Sequence, residues 1–159
     1  MRQSSVDTDM LRILAELVSA EVDFVIIGSF AAVLEGVSLI ASDVDIVYRR
    51  THENAERLLT ALALDRLDAH FMGDITDLMG RGDFHLITKH GKLDLLGEIS
   101  GERSYEDLLP HSIEVCEAGL RLWVLDLPMQ IKIKEEFGRP NDIAALPLLR
   151  AALMQRGHI

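Results

Sequence analysis

The sequence predicts an α+β fold: a mixed β-sheet flanked by helices, with further helices at the C-terminal end. Three observations predict it. Short apolar runs bounded by turn residues recur at 24–27, 43–48, 84–88, 93–96, 112–116 and 120–125, and these are strand lengths. Apolar residues three and four apart mark helices before and between the first of these runs. After Asp126 the chain carries helix start signals and no further strand-like run.

Taken in order, Asp7 or Thr8 caps a first helix in which Met10, Ile13, Leu14 and Leu17 share one face, ending near Ala20. The run from Phe24 to Ile27 is a buried strand. Gly28 and Ser29 form a corner that opens a short helix, which stops at Gly36. A second strand follows over 43–48. Thr51 caps a third helix whose Ala55, Leu58, Leu59 and Leu62 make an apolar stripe. Over 65–82 the pattern weakens, and Gly73, Gly80 and Gly82 punctuate an expected strand and an irregular segment. The runs 84–88 and 93–96 read as a hairpin turning over Lys89, His90, Gly91 and Lys92. A second pair, 112–116 and 120–125, turns at Glu117, Ala118 and Gly119. Asp126 and Pro128 then start a helix on which Leu127, Ile131 and Lys134 share one face, so Lys134 points with the core side. Gly138 closes that helix and Pro140 opens the last one, whose Asp142, Leu146, Leu149 and Leu153 share a face. Pro147 is expected to kink or split it.

Composition bounds what such a domain does. With 159 residues and 48% hydrophobic content, residues 1–159 suffice for one compact domain with a sizeable core. The formal net charge of −10 repels polyanions at long range, which argues against bulk duplex DNA as a partner. The single cysteine, Cys116, permits no internal disulfide and is expected to be a buried thiol; a reducing, cytoplasmic setting fits. The chain lacks a secretory leader pattern, and no apolar run approaches a membrane span. The six histidines form no recognisable metal motif, so each is read as structural or solvent-facing unless it borders the acidic residues.

The chemistry concentrates in the second strand. Asp43 and Asp45 are residues i and i+2, so their carboxylates leave one face roughly 6 to 7 Å apart along the backbone. Like charges held this close call for a cation, and paired carboxylates are the usual protein contribution to Mg²⁺. The Gly28–Ser29 corner just upstream is a candidate phosphate site, because the first amides of a helix point at an anion there. Asp94, a carboxylate between Leu93 and Leu95, needs a partner if its strand is covered on both faces.

Together, Gly28–Ser29, Asp43-x-Asp45, the later hydrophobic-Asp94-hydrophobic strand and Lys134 followed by Gly-Arg-Pro-Asn-Asp at 138–142 resemble the nucleotidyltransferase superfamily built on the DNA polymerase beta fold. Within it, the chain is similar to small bacterial proteins related to AbiEii-type toxins and to antitoxin-like minimal nucleotidyltransferases. The resemblance covers nearly the whole chain, from the strand at Phe24 to the helix at Leu153. It implies that Asp43, Asp45 and Asp94 are catalytic and bind Mg²⁺ or Mn²⁺, that Gly28, Ser29 and Lys134 bind the phosphates of an NTP, and that Asp94 orients or deprotonates an acceptor hydroxyl. Asp142 would orient Lys134 or the acceptor. Implied partners are a nucleotide, an acceptor that is a protein, a small molecule or a short nucleic-acid end, and a cognate toxin or antitoxin protein. The chain departs from the family pattern at Leu39 and Ala41, where Arg and Thr are common, and at Asn141, where Lys is common. Those departures weaken triphosphate binding and favour an alternative, a catalytically weak antitoxin or regulatory binding module. The third reading is a metal-dependent phosphohydrolase using the three aspartates with His85 or His90.

Overall fold

The computed structural model describes residues 6–100 and 102–156, and places eight strands and seven α-helices among them. His158, one of the six histidines, lies outside the described residues. The chain runs α1 (Thr8–Ser19), β1 (Phe24–Ile27), α2 (Gly28–Leu34), β2 (Asp43–Tyr48), α3 (His52–Leu62), α4 (Ile75–Met79), β3 (Phe84–Thr88) and β4 (Gly91–Leu96). It continues through a small ribbon, β5 (Glu98–Ile99) and β6 (Arg103–Ser104), then α5 (Tyr105–Leu108), β7 (Ser112–Glu117), β8 (Leu120–Leu125), α6 (Leu127–Phe137) and α7 (Pro140–Arg156).

Six strands form one sheet in the order β3-β4-β2-β1-β8-β7. It is mixed: β2 pairs parallel with β4 and β1 parallel with β8, while β1–β2, β3–β4 and β7–β8 are antiparallel. Parallel pairing of β2 with β4 requires a crossover, which α3 and α4 supply. Alternation along the strands divides the core. Phe24, Ile26, Val44, Ile46, Leu93 and Leu95 face α1 and α3, whose Ile13, Leu14, Leu17, Ala55 and Leu58 are fully buried. Val25, Ile27, Val47 and Leu125 face the other way, against Tyr105, Leu108, Met129 and Ile133 of α5 and α6. A third cluster packs Ala32 of α2 and Leu127 and Ile131 of α6 against Leu146 and Leu149 of α7.

The predicted caps form: the Asp7 carboxylate accepts from the amides of Asp9 and Met10, Thr51 from that of Asn54, and Asp126 from that of Met129. Several expectations are corrected. The segment 65–82 holds no strand; a turn leads into α4, where Asp74 and Asp77 form a reciprocal capping box. The segment is anchored, since the Tyr48 hydroxyl donates to the Leu78 carbonyl at 2.8 Å and Phe71 meets the Phe84 ring edge-on. β4 begins at Gly91, so the hairpin turns on Lys89 and His90 alone. Cys116 is exposed because β7 is an edge strand with an open face. Pro147 lies within a continuous α7 and does not split it; the proline sits on the exposed side. Leu153 is also exposed. Among the described residues no helix is long and apolar enough to cross a membrane.

Candidate active site

The sheet register assembles the site. On β2, Asp43 and Asp45 project from one face, and the parallel pairing sets Asp45 directly beside Asp94 of β4. The antiparallel β3–β4 hairpin sets His85 on the far side of Asp94, and Ile27 flanks Asp45 from β1. Ile27, Asp45, Asp94 and His85 therefore form one row across four strands, with Asp43 one step along β2. Oxygens of Asp43, Asp45 and Asp94 all lie within 4.8 Å of one another.

These carboxylates are poorly provided for as a set of acids. Among the described residues Oδ1 of Asp43 is buried without a hydrogen-bond partner, an unfavourable condition for a charged oxygen. Burial pushes the Asp45 carboxyl up to about 7, and its hydrogen bond to Asp94 and the charges of Asp94 and Asp43 push it the same way. His85 Nδ1 lies 2.8 Å from Asp94 Oδ1, which supplies the partner that Asp94 requires. Three clustered carboxylates, one with an orphaned buried oxygen and one holding a proton near neutrality, fit a hard divalent cation, which favours oxygen ligands. The residues present thus suit Mg²⁺ or Mn²⁺.

Gly28 has a positive φ of 72°, and a Cβ there would lie 2.4 Å from Asp45 Oδ2. Glycine is required on both counts: the backbone takes a left-handed turn, and the Asp45 carboxylate occupies the space of a side chain. Ser29 is exposed in the first turn of α2. Gly28 also borders a cavity of about 610 Å³ that extends along Leu96, Ile99, Leu125, Ile133 and Phe137. The three aspartates stand beside this cavity at the Gly28 end and do not line it. Lys134 does line it, as the helical phase of α6 predicts, and its Nζ lies 3.6 Å from Asp142 Oδ1.

Asp142 is buried and also accepts from Arg139 Nε at 2.7 Å. The Arg139 guanidinium holds the Asp142 carboxyl below the usual range, with Lys134 adding to the effect against burial. One buried acid thus gathers two cations at the cavity wall. Arg139 is exposed, and its pairing with Asp142 was not read from the sequence; the signal available was its position three residues before Asp142 at a helix start. Of the two histidines offered beside the acids, His85 is the one that the fold sets against Asp94. Leu39 and Ala41, at the departures from the family pattern, are packed against apolar clusters.

No protein-family model and no curated protein matches the chain by sequence. Solved structures do match by fold. The lincosamide antibiotic adenylyltransferase LnuA, in a lincomycin-bound structure, superposes with a TM-score of 0.62 at 14% identity, covering 94% of this chain and 99% of that one. The provisionally assigned nucleotidyltransferase TM1012 of Thermotoga maritima gives 0.59 at 19% identity over 91% and 94% of the two chains. The antibiotic-resistance factor ANT(2'')-Ia gives 0.56 at 15% identity over 92% and 83%. The chain has the nucleotidyltransferase fold, with its mixed sheet, flanking helices and C-terminal helices.

Proposed function

We propose that this protein is a Mg²⁺- or Mn²⁺-dependent nucleotidyltransferase that moves a nucleoside monophosphate from an NTP to an acceptor hydroxyl. One observation carries the reading: on this fold, the oxygens of Asp43, Asp45 and Asp94 converge within 4.8 Å, and the buried Oδ1 of Asp43 has no partner among the described residues. The acceptor oxygen bonds to the α-phosphorus, the bond from that phosphorus to its bridging oxygen breaks, pyrophosphate leaves, and the hydroxyl proton passes to Asp94. Asp43, Asp45 and Asp94 hold the cations. Divalent ions in such a site supply charge stabilisation to the attacking and leaving oxygens of an in-line displacement. Gly28, Ser29 and Lys134 bind the phosphates, and the apolar length of the cavity beside Ile133 and Phe137 takes the nucleoside or the acceptor.

A second reading is a catalytically weak module that binds a nucleotide and a partner protein, as an antitoxin or regulator does. Its support is Leu39 and Ala41, whose side chains serve packing where the family pattern commonly has Arg and Thr. The test is incubation with Mg²⁺ or Mn²⁺ and each labelled NTP, with and without cell extract. Metal-dependent label transfer with pyrophosphate release is expected. Nucleotide binding in calorimetry without transfer supports the second reading, and release of inorganic phosphate without transfer indicates a phosphohydrolase.

A further inference from the structure

We infer that His85 is a positioning residue for Asp94, holding one carboxylate oxygen so that the other is presented to the cation site. The inference rests on the metal-dependent reading above and adds a residue to it. The β3–β4 register sets His85 directly opposite Asp94, on the face that carries Asp45. Nδ1 of His85 then lies 2.8 Å from Oδ1 of Asp94. An ionised carboxylate only accepts, so the imidazole donates at Nδ1 and its Nε2 is left to solvent.

Packing does not account for the histidine. Its side chain is 73% exposed, against 19% for Asp94, and an exposed cross-strand pair of this kind contributes little to stability. What the contact does is restrict rotation of a carboxylate that would otherwise offer either oxygen, or both, to an ion. Among the described residues no lysine or arginine pairs with Asp43, Asp45 or Asp94. A lysine or arginine there would set a permanent cation against a divalent ion, whereas an imidazole offers the ligand a donor without a fixed charge. Hydrogen bonds to ligating carboxylates commonly act in this way.

The experiment uses the full chain and two variants, His85→Ala and His85→Asn, because the asparagine amide restores a donor close to where Nδ1 stands. Mn²⁺ is titrated at about pH 8, above the ordinary imidazole range, and free ion is followed by electron paramagnetic resonance. The expected result is Mn²⁺ affinity about tenfold or more weaker in His85→Ala, with His85→Asn within about threefold of wild type. Metal-free unfolding midpoints should coincide for all three proteins. Unchanged affinity in His85→Ala, or His85→Asn binding no better than His85→Ala, overturns the inference and leaves the metal site standing. Wild-type protein that takes up no Mn²⁺ overturns the metal-dependent reading, and the role of His85 with it.

Discussion

Asp45 is held where its own charge is unwelcome, and this gives the metal-free protein an unusual pH dependence. Its carboxyl titrates near 7 in the fold against 3.8 in a free chain. Between those values the native state binds more protons than the unfolded state, so stability is greatest below the lower value and falls as pH rises through the upper one. Asp45→Asn removes the titration and part of the repulsion. Metal-free Asp45→Asn should be more stable than wild type by on the order of 1 kcal/mol or more at about pH 8, with little difference at about pH 4. Its Mn²⁺ affinity should drop sharply. Denaturant midpoints at the two pH values check this, and a variant less stable than wild type at about pH 8 refutes it. The acidic pair was legible in the sequence because parity on a strand is a local property. Asp94 was legible as a carboxylate between apolar neighbours in need of a partner. His85 was legible only as one of two histidines, with His90, set beside the acids, since its meeting with Asp94 depends on two residues of hairpin register: a loop over 89–92 would have set Ile87 opposite Asp94, whereas the turn on Lys89 and His90 sets His85 there.

At the scale of elements, strands and capped helices were legible wherever the local signal and the tertiary demand agreed, as in β1, β2, α1 and α3. The failures have physical causes. In 65–82 the side chains that define α4 are polar caps, Asp74 and Asp77, and its one buried residue is Leu78, so no periodicity announces it. Nor does any pattern announce the junction that fastens α7. Glu35, which ends α2, is buried with its carboxylate accepting from Arg156 Nη1 at 2.5 Å and from Gln130 Nε2 at 3.2 Å, and its carbonyl also accepts from Arg156. Burial raises the Glu35 carboxyl, and Arg156 opposes the rise. Arg156→Ala leaves this acid buried without its cation, so its folded value climbs further and the native state gains protons relative to the unfolded one. The loss of stability should be about 1 to 3 kcal/mol at about pH 7 and should shrink toward about pH 4, where Glu35 is protonated in both states. Urea midpoints of both proteins at the two pH values measure it; equal losses at the two would show that Arg156 acts through packing alone.

At the scale of the whole molecule, charge limits what reaches the acidic row. The net charge of −10 was visible in composition, but its disposition was not. Arg49 and Arg50 are the one adjacent basic pair in the sequence, and the fold spends both internally, on Asp23 and Glu106 and on Glu98. Arg66, Arg103, Arg121, Arg139, Arg150 and Arg156 are likewise each held by a carboxylate. A protein that tracks duplex DNA needs cations free to displace condensed counterions, and its affinity then falls steeply with salt. Here the exposed cations nearest the acidic row along the strands are Lys89 and Lys92, which do not make a stripe. With 5% aromatic residues, there is also little surface on which to stack unpaired bases. The acceptor should therefore be a protein side chain, a small molecule or a short nucleic-acid end that approaches the face carrying Asp94 and His85. In gel-shift titrations at physiological salt, duplex DNA and long RNA should show no binding tighter than about 10⁻⁵ M, within the usual range of non-specific contacts. Tight binding that weakens steeply as salt is raised would mean that a basic surface exists and that the acceptor is a long polyanion.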